Sequence, residues 1–357
     1  MLPSGYLASR DEFKRLAAQL GVTPRCFPHE AEKGGSPALS TDVAYLGPAD
    51  AQNLVIITSG THGVEGYAGA ACQFHFMKAY PDRFARNDVA WLLAHAVNPW
   101  GFLHDRRVTS EGVDLNRNFV DFPVLQETQS RYADYHRLLV VDYRPLPRGL
   151  WNAIRLLSHG RTRGQRRQLR DAITGGQYDC PDGLFFGGAA PTTSRIVWED
   201  ILRSYAGDRR PAVLLDLHTG LGQRGVGELI SDLAPSSAGF LQLSRWFGGG
   251  LRSTLHGDSV SAAVEGSLSA AFSRMHGERH SVVLEFGTCG PLAVLNALRA
   301  DQWYFNNAAE LSRTEREWAR RKMKKAFAAT DAEWHLRVVA RFDQVVKQLA
   351  AGLSEDR

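Results

Sequence analysis

Residues 53–66 read NLVIITSGTHGVEG. The run from Leu54 to Thr58 is nearly continuous in apolar and β-branched residues and too short for a helix, which is the pattern of a strand covered on both faces. Directly after it, His62 and Glu65 stand three apart among Gly60, Gly63 and Gly66. An imidazole and a carboxylate at the mouth of a buried strand call for partners, and the rest of the chain supplies them.

Further runs of the same kind occur as VAWLLAHAVN, AVLLDLH and SVVLEFG. With helical stretches between them, they predict an α/β fold: a mixed, mostly parallel central sheet with helices on both faces. Near the start, SRDEFKRLAAQLG places Ser9 and Glu12 at capping-box spacing, aligns Phe13, Leu16, Ala17 and Leu20, and stops at Gly21, predicting a surface helix. From about residue 308 onward, apolar residues at helical intervals in a charged background predict one or two C-terminal helices packed on the sheet. No repeat, low-complexity segment or linker divides the chain, so residues 1–357 read as a single catalytic domain, with a basic insertion at about 124–180.

Composition excludes several classes. The 357 residues are 44% hydrophobic and 22% charged, enough to bury a large core and unlike a disordered chain. The opening residues lack a signal-peptide pattern and no stretch reaches the roughly 18 apolar residues of a membrane span, so a cytoplasmic location is expected and no membrane partner. Cys26, Cys72, Cys180 and Cys289 lie far apart, which argues against a disulfide framework or a cysteine metal site. A net charge of +4 implies no polyanionic partner by itself. The eight arginines from Arg144 to Arg170 read as a solvated face or as a guide for anionic substrates. Nucleic acid is not expected, because only Tyr143 and Trp151 supply aromatic rings there.

Three apolar runs deliver titratable groups as they finish: His62 and Glu65 after LVIIT, His218 at the end of AVLLDL, and Glu285 at the end of SVVL. The crevice beyond the carboxyl ends of the strands is where an open α/β sheet places its ligand site. A catalytic zinc takes three protein ligands and keeps a position open, and two histidines with one glutamate form a recurring set. His62, Glu65 and His218 meet that requirement, leaving Glu285 as a general base. Asp216 either competes with His218 as a ligand or sits beneath the site and orients it, the role its place two residues earlier favours. Between the ligands, NPWGFLHDRRVTSEGVDLNRNF reads as a loop over a cleft and carries Arg106, Arg107, Asn116 and Arg117. The planar fork of Arg117 beside Asn116 suits a carboxylate clamp, whereas Arg106 reads equally as a solvated surface residue.

HGVE, DLNRNF, LDLH and LEFG, in this order, resemble the zinc carboxypeptidase family of the carboxypeptidase A type and its relatives, the aspartoacylases and succinylglutamate desuccinylases. SGTHGVEGYAG, NPWGF, RRVTSEGVDLNRNF, GGQYDCPDGLFFGG and LDLHTGLG are similar to an uncharacterised, largely bacterial branch of that superfamily, over roughly residues 40 to 305. The resemblance implies a zinc-exopeptidase-like fold with Zn2+ held by His62, Glu65 and His218, and Glu285 as the base that activates water. It implies that Asn116 and Arg117 grip the substrate carboxylate and that Arg107, or else Arg106, polarises the scissile carbonyl. The family's mobile tyrosine before the catalytic glutamate has no counterpart, since no Tyr occurs between Tyr205 and Tyr304.

The expected activity is hydrolysis of an amide bond next to a free carboxylate, in a small peptide or an N-acyl amino acid. A carboxypeptidase-like enzyme is favoured over an aspartoacylase-type deacylase, because the chain ends in helical patterns rather than a strand-rich module. The missing tyrosine keeps open a third reading, a catalytically silent peptide-binding protein. Oligomeric state is not legible.

Overall fold

Asn53–Ser59 forms strand β3, and every one of its residues is buried. Alternation divides its side chains between two layers. Val55 and Ile57 enter a core built with Ala68, Cys72 and Phe76 on one side and Val338, Phe342 and Val345 beyond them. Leu54 and Ile56 face the opposite core, with Trp198, Ile201, Leu268 and Phe272. Each such aliphatic side chain contributes about 1.5–3 kcal/mol on full burial, so a strand apolar on both faces is stable only between two layers of helix.

The computed structural model describes residues 3–29, 38–81, 88–124, 131–140, 162–207, 212–256, 259–261, 263–329 and 331–355. Its strands are β1 (Arg25–Pro28), β2 (Ser40–Leu46), β3, β4 (Val89–His95), β5 (Ala212–Arg224), β6 (Gly227–Ser231), β7 (Leu251–Ser253) and β8 (Arg279–Gly287). The helices are α1 (Tyr6–Gln19), α2 (Gly66–Ala79), α3 (Pro99–Leu103), α4 (His136–Leu139), α5 (Arg163–Thr174), α6 (Thr193–Tyr205), α7 (Ala238–Trp246), α8 (Leu268–Ser273), α9 (Pro291–Asn306), α10 (Arg313–Phe327) and α11 (Ala332–Glu355).

The strands form one sheet in the order β1-β2-β4-β3-β5-β8-β6-β7. Its centre, β4-β3-β5-β8, is parallel throughout, while β1, β2 and β6 pair antiparallel to their inner neighbours. The predicted mixed α/β sheet is therefore present, with the four anticipated strands at its centre. Parallel alignment brings the carboxyl ends of β3, β5 and β8 to one edge of the sheet.

Local structure departs from expectation in two places. Helix α1 begins a turn earlier than the Ser9 cap predicts, at Tyr6 after Gly5. Ser9 is instead buried within the helix, with Oγ 3.2 Å from His95 Nε2, so a tertiary contact displaces the capping role. The stretch after β4 is not all loop: Asn98 accepts a hydrogen bond from Gly101 N and caps α3, with Pro99 at its first position. Of the basic insertion expected at about 124–180, residues 125–130 and 141–161 lie outside the described residues. Among the described residues, no helix is long and apolar enough to cross a membrane.

Candidate metal centre

Two glycines shape the turn that carries His62 and Glu65. Gly60 leaves β3 at φ +66, in the left-handed region, and a Cβ at Gly63 would fall 2.0 Å from the backbone of Gly101. This close approach lets Val64 N donate to Arg106 O at 2.8 Å, locking the 63–65 turn against the loop that follows α3. Asn98 fixes the far side of that loop by donating to Val108 O at 3.0 Å.

Register supplies the remaining groups. Thr58 of β3 pairs with Asp216 of β5, and His218 of β5 pairs with Glu285 of β8. Asp216 and His218, two apart, share a face of β5. Asp216 accepts hydrogen bonds from Thr58 Oγ1 at 2.6 Å and Thr61 Oγ1 at 2.8 Å.

His62, Glu65 and His218 are all buried and present one ligand atom each within 4.8 Å of one another. His62 Nδ1 lies 3.1 Å from His218 Nδ1 and 3.2 Å from Glu65 Oε1, and His218 Nδ1 lies 2.9 Å from Glu65 Oε2. Tetrahedral zinc with bonds of about 2.0–2.1 Å separates its donors by about 3.3 Å, so the three atoms stand at ligand spacing. The outer imidazole nitrogens face carboxylates: His62 Nε2 is 3.0 Å from Asp114 Oδ1, and His218 Nε2 is 2.7 Å from Asp216 Oδ2. A carboxylate at Nε2 holds the proton there and aims the Nδ1 lone pair inward, the arrangement that supports histidine ligation. The donor set therefore fits a divalent metal such as zinc.

The charges agree with a site built for a cation. Burial alone would raise the Glu65 carboxyl, but His62 and His218 outweigh it and hold it far below the usual range. Burial opposes a charged His218, yet Asp216 and Glu65 raise it well above an ordinary histidine. A metal bound between the donors would compete with a proton on His218.

Asp114, which the sequence left without a role, is central. Burial works against its charge, but Arg107, Arg117 and His62 keep it well below the normal range. Its only signal was its place at the head of DLNRNF, two residues before Asn116. Asp114 also accepts from Asn116 N at 3.0 Å, setting the short turn Leu115–Arg117.

Arg107 reaches the centre: its Nη1 donates to Glu65 Oε1 at 2.9 Å and its Nη2 lies 3.3 Å from Asp114 Oδ2. Arg106 does not. It is buried, paired with Asp301 at 2.7 Å and lies over Trp100, Tyr304 and Phe305, so neither solvent nor substrate is its partner. Asn116 faces His218, with Nδ2 3.3 Å from Nε2, and its Oδ1 accepts from Leu268 N. Arg117 is buried beside it and donates to Thr174 O and Asn116 O. Those bonds engage three of its five N–H groups, and among the described residues no carboxylate lies within ion-pair distance of it, although the Asp114 charge acts on it.

Glu285 closes β8 beside His218, and Leu221 N donates to its Oε1 at 2.8 Å. Burial, then the Glu65 charge, pushes its carboxyl up to about 7 against the opposing pull of His218 and Arg107.

A family model described as "Protein of unknown function (DUF2817)" matches residues 3–341. The chain belongs to the DUF2817 family. No curated protein matches it. Among solved structures, this DUF2817 chain is similar to the carboxypeptidase A of Helicoverpa armigera at 14% identity and TM-score 0.50, over 92% of this chain and 75% of that one. It also matches a candidate metallopeptidase of Shewanella amazonensis at 14% identity and TM-score 0.45, over 85% and 92% of the two chains. An aspartoacylase family protein of Mesorhizobium loti matches at 15% identity and TM-score 0.39, over 79% and 65%. The fold is that of the carboxypeptidase A type.

Proposed function

We propose that this DUF2817 protein is a zinc-dependent hydrolase that cleaves an amide bond next to a free carboxylate, most nearly a carboxypeptidase. The observation that carries the reading is the pair of inward-facing Nδ1 atoms and one Glu65 oxygen, each histidine backed by its own aspartate, with Glu285 alongside. His62, Glu65 and His218 would hold the metal. A metal there supplies a Lewis acid that polarises a carbonyl and acidifies a water.

The remaining chemistry belongs to the chain. Glu285 takes the proton of the attacking water, and a carboxyl near 7 combines enough basicity with an available ionised form at neutral pH. The Leu221 N–H fixes one carboxylate oxygen, leaving the other for proton transfer to the leaving amine. Arg107 holds Glu65 and Asp114 in place, and its charge beside the donors would help to polarise the scissile carbonyl. Arg117 offers its two remaining N–H groups, and although the Asp114 charge is felt there, no carboxylate among the described residues lies within ion-pair distance of it, which favours an anionic ligand. Asn116, held by Leu268 N at its Oδ1, turns its Nδ2 donor toward the site and would add a further hydrogen bond to that anion.

The test is a panel of blocked dipeptides, their C-terminal amides and N-acyl amino acids, assayed with and without chelator. A carboxypeptidase-like enzyme cleaves the free-acid dipeptides and spares the amides. Cleavage of the acyl amino acids alone would replace that reading with a deacylase. Failure to cleave anything while a free-acid peptide binds would leave a silent binding protein.

A further inference from the structure

A cavity of about 860 Å³ opens where the end of β5, the 288–290 loop and the end of α10 meet. Two of its walls continue from the candidate site: Gly222 follows Leu221, whose N–H holds Glu285, and Thr288 lies three residues beyond Glu285. Thr288 Oγ1 donates to Ala326 O and so ties the loop to α10.

The charged side chains around this cavity are mainly cationic, set among small and apolar ones. Among the described residues Arg224, Arg321, Lys324 and Lys325 line it, with Asp331 as the one carboxylate, and Asp331 is already paired with Arg224. Arg321 and Lys324 have carboxylates only at 3.9 Å, Glu317 and Asp105, which are not part of the lining. Lys324 also lies over the Tyr67 ring, which fixes its position at the rim. Backbone forms the wall at Gly222 and Gly290, and a Cβ at Gly290 would meet nothing within 4 Å, so space for a ligand remains. Like charges around one concavity repel, and its low-dielectric walls concentrate a positive potential that an anion relieves.

We propose that this cavity binds acidic side chains of a peptide substrate, the carboxylates of Asp or Glu residues preceding the scissile bond. This rests on the hydrolase reading: Arg117, the proposed seat of the terminal carboxylate, does not line the cavity, whose walls run on from Leu221 and Glu285, so we assign it to residues upstream of the scissile bond. The enzyme would then prefer peptides with an acidic stretch before a permissive C-terminal residue.

The experiment measures binding by calorimetry in the Glu285→Gln variant, where turnover is blocked, at low salt. The probes are a peptide of three glutamates followed by two alanines and its all-alanine counterpart. The acidic peptide should bind about tenfold more tightly, a difference a few solvent-screened charge pairs can supply. Arg321→Glu with Lys325→Glu, both exposed on α10, should abolish that preference without changing the melting temperature or the affinity for the alanine peptide. Failure of the acidic peptide to bind, equal binding of the two peptides, or a preference that survives the charge reversal would overturn the proposal. Failure of the hydrolase reading looks different: wild type cleaves neither peptide although the binding preference persists.

Discussion

Glu285→Gln should stabilise the metal-free protein, and increasingly so as pH rises. The Glu285 carboxyl is raised from an ordinary 4.5 to about 7, first by burial and then by Glu65. Above the unfolded value the unfolded chain gives up this proton while the folded chain retains it, so stability falls from about pH 4.5 to 7 and then levels off. The shift of about 2.5 units corresponds to about 3 kcal/mol at 1.36 kcal/mol per unit. Gln cannot ionise, yet its carbonyl can still accept the Leu221 N–H bond, so the variant escapes that loss. Urea unfolding of chelator-treated protein should show a gain below about 1 kcal/mol at pH 5 that grows to about 3 kcal/mol at pH 8. A difference that does not change with pH, or that favours wild type at pH 8, would refute the account of Glu285 as a buried carboxyl destabilised when ionised. The same variant should lose turnover by about 100-fold or more if Glu285 is the base.

Asp216→Asn removes the carboxylate behind His218 and should weaken zinc affinity by about 10- to 100-fold, read by competition with a chromogenic chelator. Unchanged affinity would deny Asp216 its orienting role. Arg117→Ala should raise KM for free-acid peptides much more than for their amides while leaving zinc content intact; equal losses on both would make Arg117 structural.

The central sheet was legible because its strands are buried on both faces, which writes continuous apolar runs into the sequence at β3, β4, β5 and β8. The outer strands carry no such mark: edge strand β1 buries one residue of four, edge strand β7 has only three residues, and β2 and β6, although mostly buried, interrupt their apolar residues with polar ones. The candidate ligands were legible because each follows or closes one of those runs. What escaped depends on contacts far apart in sequence. Arg106 has the composition of a loop arginine, and only folding brings Asp301, 195 residues away, to pair with it. Asp114 lies 52 residues from His62 and carries no local sign that it backs that imidazole. The expected loop after β4 hid a short helix because Asn98 and Pro99 together start one in a stretch without sustained helical periodicity.

The central claim is that His62, Glu65 and His218 hold one metal ion, and elemental analysis tests it most directly. Wild type and His218→Ala are loaded with zinc, dialysed against metal-free buffer and measured, with circular dichroism to confirm that both are folded. The account predicts about one zinc per wild-type chain and a severe loss in the variant, because two remaining protein ligands leave the site incomplete. Wild type emerging without metal, or the folded variant keeping a full equivalent, would contradict it.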